Sequence, residues 1–144
     1  MAPPPATPSQ LPTFTITERF GKMTCGSGSA WEPKLGYSRA VRKGNTIAVT
    51  GTVGIGPDGK YVPDVGVQAR RSLAIITGAL EALGANLTDV IRTRLYVTNI
   101  AEWEKVAVVH GEIFSEIRPA TTIVQVEKLI DAEALIEIEV DAIV

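Results

Sequence analysis

The junction at Pro119 constrains the fold more than any other feature of the sequence. Proline cannot continue a helix, so Pro119 ends a helical pattern that runs from about residue 101 to residue 117. Residues 121–127 are mostly β-branched or polar, and residues of this kind favour a strand. The sequence therefore predicts a helix that is joined to a strand almost without a loop.

Apolar residues spaced three and four apart predict two amphipathic helices. The first runs from about residue 64 to residue 83, with Asp64 as its N-cap and Gly84 just beyond its end. Its apolar stripe consists of Ala69, Leu73, Ile76, Leu80 and Leu83, and Gln68, Arg70 and Arg71 lie off the stripe. The stripe of the second helix consists of Trp103, Val106, His110, Ile113 and Ile117. Each helix has one apolar side with which to cover a sheet.

Alternating residues predict the strands. Residues 37–42 and 46–52 form a hairpin, residues 90–98 and 134–144 form two long strands, and residues 14–17 form a short edge strand. With residues 121–127 included, the order is β-β-α-β-α-β-β, which gives about five main strands and a sixth near the N-terminus. We expect a single α+β domain in which both helices pack on one face of a mixed sheet.

The second face of this sheet has no helix to cover it. Along residues 90–98, one face carries Ile91, Thr93, Leu95 and Val97, and the other carries Arg92, Arg94, Tyr96 and Thr98. Along the final strand, one face carries Ile136, Ile138, Val140 and Ala142, and the other carries Glu137, Glu139 and Asp141. The uncovered face is too polar for a core, so it meets either solvent or further copies of the chain.

Composition indicates an ordinary globular protein with a proline-rich start. Hydrophobic residues make up 45% of the chain, and a net charge of −2 without a strong cluster of basic residues argues against binding nucleic acid. No apolar run approaches the roughly 20 residues that span a membrane, and no secretory signal is recognisable, so we expect a cytoplasmic protein. Residues 1–13 are predicted to be a flexible tail, and residues 14–144 the domain.

The chain has one histidine and one cysteine, which limits its chemistry. Zinc sites of the usual composition are excluded, and we expect neither a metal nor a cofactor. His110 falls on an apolar stripe, so we interpret it as a hydrogen-bonded, half-buried residue rather than as part of a catalytic triad. Cys25 has no evident helix N-terminus or histidine to lower its pKa, so we interpret it as an unreactive thiol.

Three short motifs together resemble the RidA (YjgF) family: Gly36-Tyr37-Ser38, Pro119-Ala120 before a strand, and Ile136-Glu137-Ile138-Glu139. The resemblance implies a YjgF-like (chorismate-mutase-like) fold and a homotrimer whose centre is lined by the uncovered sheet face. It implies ligand clefts between the subunits, with a small molecule as the ligand. It also implies hydrolysis of reactive enamines and imines to ketones and ammonia.

The resemblance implies a catalytic role for Glu139. The matching glutamate of the family sits by the cleft, where one carboxyl group can deliver water to the imine carbon and a proton to the leaving nitrogen. The alternative is that Glu139 only belongs to the polar side of the final strand. For Glu137 and Asp141 we favour that structural interpretation.

Further residues enter the binding site through the same resemblance. Tyr37 borders the ligand, unless it packs at a subunit seam, and the backbone of Thr50 and Gly51 lets the ligand approach closely. Thr121 and Ile123 follow the Pro-Ala motif and belong to the same site.

Thr121 stands where the deaminating relatives have an arginine that grips the substrate carboxylate. A threonine offers one neutral hydroxyl instead of a charged, bidentate fork, so we expect free 2-imino acids to bind poorly unless another cation takes its place. Arg94 is the first candidate, and Arg39 and Arg118 are the others. The alternative for Arg94 is an ion pair with the acidic residues of the final strand.

These features lead to two hypotheses about function. The first is a RidA-like hydrolase or deaminase that acts on an enamine, an imine or a related small metabolite, with weak or no activity on 2-aminoacrylate. The second is a trimer that senses a ligand or binds a partner without turnover. A ribonuclease has little physical support in an acidic chain with one histidine. Trp31 is a candidate lid over the cleft, and packing on its own subunit is the alternative.

Overall fold

Seven strands and three helices follow one another along residues 10–144, the part of the chain that the computed structural model describes. The strands are Thr15–Arg19 (β1), Lys22–Gly26 (β2), Ala40–Lys43 (β3), Thr46–Val53 (β4), Val90–Val97 (β5), Ala120–Gln125 (β6) and Ile136–Ile143 (β7). The helices are Trp31–Leu35 (α1), Val65–Ala82 (α2) and Trp103–Phe114 (α3). The strands form one mixed sheet in the order β1-β2-β3-β4-β7-β5-β6, in which only the β5–β6 pair is parallel.

The last strand of the chain lies in the middle of this sheet. Strand β7 pairs with β4 on one side and with β5 on the other. Its alternation is confirmed, because every apolar residue predicted on its inner face is at most 1% exposed: Ile136, Ile138, Val140 and Ala142. The polar residues between them lie on the other face and are half-buried.

Helix α2 forms as its sequence predicts. Asp64 caps it by accepting a hydrogen bond of 2.9 Å from the backbone N–H of Val67. Every residue of its predicted stripe is at most 2% exposed, and the helix packs on β4 and β7. Gln68 lies off the stripe and is nevertheless fully buried, because its side-chain amide bonds the backbone of Val62, Glu133 and Leu135. These bonds fasten the loop before β7 to the helix.

Helix α3 packs beside α2 and is shorter than predicted. A 3-10 turn occupies Ile100–Glu102, and the helix begins at Trp103, which is 51% exposed at the very end of the stripe. The prediction that Trp103 is a core residue is therefore wrong, and the buried residues are Val106, Val109 and Phe114. Within residues 10–144, no helix is long and apolar enough to cross a membrane.

A bulge in β5 changes one predicted face. The register of β5 against β7 shifts between Val90 and Arg92, which leaves Ile91 as the extra residue. Val90 is therefore buried, and Ile91, which the alternation assigns to the core, is 48% exposed. From Thr93 onward the predicted alternation is confirmed.

The N-terminal part of the chain contains more structure than predicted. Strands β1 and β2 form a hairpin, where the sequence suggests one short strand and a loop, and they raise the number of strands to seven. Helix α1 occupies a segment for which the sequence predicts neither a helix nor a strand. Of the predicted tail, residues 1–9 lie outside the described residues, whereas residues 10–13 lie along a cavity of the domain. Residues 10–13 therefore contribute to the wall of this cavity.

Candidate functional site

A cavity of about 580 Å³ lies beside strands β3 and β4, and several polar side chains converge on it. Tyr37 and Arg39 come from the segment between α1 and β3, Gly51 and Thr52 from β4, and Glu137 from β7. The rest of the wall comes from residues 10–13, the loop at residues 27–30, helix α1, the loop after β4, one side of α2 and residues 130–131. The cavity thus joins the centre of the sheet to the N-terminal segments.

Arg39 organises the polar end of the cavity, although it is only 7% exposed. Its Nη1 donates to the carbonyl of Gly51 at 2.9 Å and to Oγ1 of Thr52 at 3.1 Å. Its Nη2 donates to the Tyr37 hydroxyl at 3.3 Å, and the guanidinium also lies 5.5 Å from the centre of the Tyr37 ring. Because Tyr37 accepts from Arg39, its own O–H is available to donate to a ligand.

A buried carboxylate on α1 balances the charge of Arg39. Glu32 is 7% exposed and lies 3.7 Å from Nη2 of Arg39. It also accepts hydrogen bonds from the backbone N–H of Ser27 at 3.0 Å and from the Ser27 hydroxyl. Helix α1 and the loop before it are therefore tied to the polar end of the cavity through charged hydrogen bonds.

Glu137 is the acidic group of the cavity that lies nearest to Gly51. The register of β4 against β7 shifts between Val49 and Thr52, and the absent side chain of Gly51 leaves room for the Glu137 carboxyl. A Cβ at Gly51 would lie 2.9 Å from Cδ of Glu137. Burial raises the pKa of Glu137, Arg39 lowers it, and Glu139 raises it further. The net increase is typical of a carboxyl group that exchanges protons closer to neutral pH.

The structure does not bring Glu139 and Arg94 into this cavity. Glu139 accepts a hydrogen bond of 2.6 Å from the Tyr96 hydroxyl, and this bond is the main reason why the pKa of Tyr96 is raised. Arg94 lies 3.0 Å from Asp141 and 3.7 Å from Glu139, so the ion pair that was the alternative for Arg94 is what the structure contains.

Thr50 also lies outside the cavity lining, because its hydroxyl donates to the carbonyl of Ser38 at 2.6 Å. Arg118 is exposed and does not line the cavity either. Of the three arginines proposed to replace the missing one, Arg39 alone reaches the cavity of this chain. Trp31 lines the cavity, as a lid would.

Thr121 and Ile123 belong to β6, the opposite edge of the sheet. Two strands separate β6 from β4, which places them roughly 14 Å apart at the usual spacing of about 4.8 Å between strands. Within one chain, the hydroxyl of Thr121 instead lies 2.8 Å from that of Thr93, which in turn lies 2.9 Å from Nε2 of His110. The predicted site residues therefore form two groups, one at each side of β7 and β5.

The remaining reactive side chains behave as the sequence suggests. His110 is hydrogen-bonded to Thr93 and half-buried, and burial lowers its pKa. Cys25 is fully buried, and burial raises the pKa of its thiol. Among residues 10–144, no group of three or more His, Cys, Asp or Glu side chains lies close enough together to hold a metal ion.

Sequence reasoning missed Glu137 as a cavity residue. Glu137 and Glu139 are two residues apart and share a face, so alternation alone cannot separate them. The register shift at Thr50-Gly51 on the neighbouring strand distinguishes them. Gly51 was already assigned to the site from the sequence, and a glycine at this position is the signal that could have identified Glu137.

The mixed sheet with helices on one face defines an α+β protein with a small polar cavity, and comparison with known proteins specifies its family. A family profile described as Endoribonuclease L-PSP matches residues 27–144. The chain belongs to this family, which is also called the YjgF or RidA family. Residues 10–26, which include β1 and β2, precede the matched part.

Known relatives cover most of the chain. A crystal structure of a YjgF/YER057c/UK114 family member from Mycobacterium tuberculosis is 45% identical, with a TM-score of 0.80 over 85% of this chain and 99% of that one. The 2-iminobutanoate/2-iminopropanoate deaminase of Escherichia coli is 32% identical over 74% of this chain and 86% of its own. The structure of Escherichia coli TdcF with bound serine is 27% identical, with a TM-score of 0.70 over 75% of this chain and 87% of that one. The family thus includes imine deaminases.

Proposed function

We propose that this protein hydrolyses a small imine or enamine in the cavity that holds Glu137. The observation that carries the proposal is a carboxyl group with a raised pKa beside a buried arginine and a tyrosine hydroxyl. The kinship with an imine deaminase and with a protein that binds serine supports a small polar substrate. The role that the resemblance gives to Glu139 passes to Glu137, because Glu139 is occupied by Tyr96 and lies outside the cavity.

The chemistry needs one carboxyl group. The ionised Glu137 accepts a proton from a water molecule while the water oxygen forms a bond to the imine carbon. The protonated carboxyl then returns that proton to the nitrogen, which gives a carbinolamine. Glu137 next takes the proton of the carbinolamine hydroxyl and passes it to the amino nitrogen, so the C=O bond forms as the C–N bond breaks, and ammonia and a carbonyl compound leave. Tyr37 donates its free O–H to the ligand, and Arg39 holds Tyr37 and the Gly51 backbone in place.

Two arginines line the cavity, and both are already engaged. Arg71 donates to the carbonyls of Gln10 and Ile55, and Arg39 is the cation at the polar end. Its hydrogen bonds go to Gly51, Thr52 and Tyr37, and Glu32 lies 3.7 Å away. A guanidinium that is already paired grips a ligand carboxylate less strongly than a free one. The expectation of weak activity on 2-aminoacrylate therefore remains part of the proposal.

Replacement of Glu137 tests the proposal. The substrate is 2-iminobutanoate, generated in the assay by an amino-acid oxidase, and the measured quantity is the rate above spontaneous hydrolysis. Glu137→Gln cannot accept the proton, so we expect kcat to fall by about 10²-fold or more, the usual worth of a general base. Circular dichroism checks that the variant is folded.

Glu139→Gln is the matched control, since it makes the same change two residues away on the same face. It should retain activity within a few-fold. Loss of activity in Glu139→Gln alone would return the catalytic role to Glu139. A wild-type protein that binds the oxo acid product but accelerates no imine would contradict catalysis and favour the non-catalytic, ligand-sensing alternative.

A further inference from the structure

The cavity has a second, apolar wall that the chemistry of Glu137 does not use. This wall is formed by large side chains that include Leu11, Trp31, Leu35, Ile75 and Ile130. Four of them, all except Ile75, are more than one-third exposed. Clustered, exposed apolar side chains at the edge of a concave site are typical of a binding surface.

The N-terminal part of this wall is fixed in place. Nη1 of Arg71 donates to the carbonyl of Gln10 at 2.6 Å, and its Nε donates to the carbonyl of Ile55 at 2.9 Å. Arg71 thus joins the N-terminal segment to the loop after β4.

The N-terminal segment also packs on α2 at Gly78, where the absence of a side chain leaves a notch in the helix surface. A Cβ at Gly78 would lie 2.6 Å from Cε2 of Phe14 and 3.2 Å from Cδ1 of Leu11. The side chains of Leu11 and Phe14 therefore pack onto the helix where it lacks a side chain. The apolar wall is a packed part of the domain.

The three polar groups that the proposed chemistry uses and most of the large apolar side chains come from different elements. Tyr37, Arg39 and Glu137 come from the sheet and its approach, whereas the apolar side chains come largely from the N-terminal segment, α1 and α2. A volume of about 580 Å³ falls within the range of about 300–1,000 Å³ that suits ligands of drug-like size. A substrate with only a methyl substituent would contact the polar groups and leave most of the wall uncovered.

We infer that the substrate carries an imine or enamine head for Glu137 and a branched aliphatic or aromatic tail that packs on Leu11, Trp31 and Ile75. The inference rests on the proposed function, because it names the substrate class of that site. Each additional methylene buried on the wall strengthens binding by about fourfold. A substrate whose tail is three or more carbons longer than methyl should therefore have a kcat/KM on the order of tenfold to a hundredfold above that of the methyl substrate.

The test compares imines generated by an amino-acid oxidase from L-alanine, L-leucine and L-phenylalanine. We expect the leucine and phenylalanine imines to be hydrolysed with kcat/KM at least about tenfold above that of the alanine imine. Trp31→Ala and, separately, Leu11→Ala should each lower this ratio several-fold, mainly through KM. Trp103→Ala removes an exposed tryptophan that does not line the cavity and should leave the ratio unchanged.

A binding measurement separates the inference from the proposed function. Calorimetry with pyruvate, 4-methyl-2-oxopentanoate and phenylpyruvate reports tail recognition without turnover. If no imine is hydrolysed but the two larger oxo acids bind at least about tenfold more tightly than pyruvate, the ligand class stands and the proposed hydrolysis fails. If all three imines are hydrolysed equally and the oxo acids bind equally, hydrolysis stands and the inference is overturned. If no imine is hydrolysed and no oxo acid binds, both the proposed function and the inference are overturned.

Discussion

At the scale of single residues, the protonation state of Glu137 in the cavity depends on the nearby charge of Arg39. Arg39 is buried against Glu32, and Glu137 is half-buried with a raised pKa that Arg39 partly offsets. A buried cation that retains a paired carboxylate and three hydrogen-bond acceptors is held rigidly. The same residue therefore fixes the tyrosine and sets the protonation of the glutamate.

Replacing Arg39 by glutamine should shift the pH profile. Activity requires ionised Glu137, so the acid limb of kcat/KM falls away below an apparent pKa above the ordinary 4.5 of a glutamate. Removing the positive charge raises the pKa of Glu137 further, so the acid limb moves to higher pH. The measurement is kcat/KM against pH for the leucine imine.

Arg70→Gln is the control for this prediction, because Arg70 forms an exposed ion pair with Glu112 on the helices. Its profile should match that of the wild type. A loss of activity in Arg39→Gln that is the same at every pH would show that Arg39 acts only through packing.

At the scale of elements, the N-terminal segment and helix α2 form a unit that the sequence does not reveal. Gly78→Ala adds a Cβ that collides with the ring of Phe14, so we expect the segment before β1 to detach while α2 remains helical. Limited proteolysis with chymotrypsin should then cut after Phe14 several-fold faster. Circular dichroism should show an unchanged fold.

Gly111→Ala provides the comparison, since nothing lies within 4 Å of a Cβ at that position in α3. The Gly111→Ala variant should be cleaved after Phe14 at the wild-type rate. The higher helix propensity of alanine should raise its free energy of unfolding by up to about 1 kcal/mol. Equal cleavage of both variants and the wild type would contradict the role of Gly78 as a notch.

The regular elements were predictable, because each has a strong period. Helix α2 and strand β7 repeat their apolar residues over many positions, so caps and faces follow from the sequence. Two of the errors fall where a local irregularity overrides the period. The extra residue Ile91 puts Val90 in the core and leaves Ile91 on the surface, the reverse of the predicted faces. The register shift at Thr50-Gly51 places Glu137, and not Glu139, at the cavity. A bulge leaves no periodic signal, so this part of the site needed the structure.

At the scale of the whole molecule, the predicted site is divided between the middle of the sheet and its β6 edge. Tyr37, Gly51 and Glu137 lie at the cavity, whereas Thr121 and Ile123 lie on β6. A homotrimer, which the resemblance implies, would let β6 of one copy approach the cavity of another. The trimer remains a proposal, and it explains why residues assigned to one site lie so far apart.

Thr121→Arg tests this arrangement. Thr121 is exposed, so an arginine is accommodated, and in a trimer it would give the cavity of a neighbouring copy an unshared guanidinium. We expect kcat/KM for the alanine imine, which has little tail to bind, to rise at least about tenfold, the worth of one charged hydrogen bond. Light scattering should give three times the chain mass of 15.3 kDa for wild type and variant.

Ser115→Arg adds the same charge at an exposed position at the end of α3. It should change neither kcat/KM for the alanine imine nor the mass measured by light scattering. A monomeric mass at assay concentration would refute the trimer. A trimer in which Thr121→Arg brings no gain would mean that β6 does not reach a neighbouring cavity.

One part of the apolar wall lies outside the residues that the family profile matches, and this has an evolutionary consequence. The polar groups lie within the matched residues 27–144, and Glu137 sits on the central strand of the fold. Leu11 belongs to a segment that precedes the match and touches the core only at its edge. Substitutions in that segment can alter which tail is accepted at little cost in folding free energy. Such a protein can acquire new substrates by drift in its N-terminal segment while its reaction stays the same.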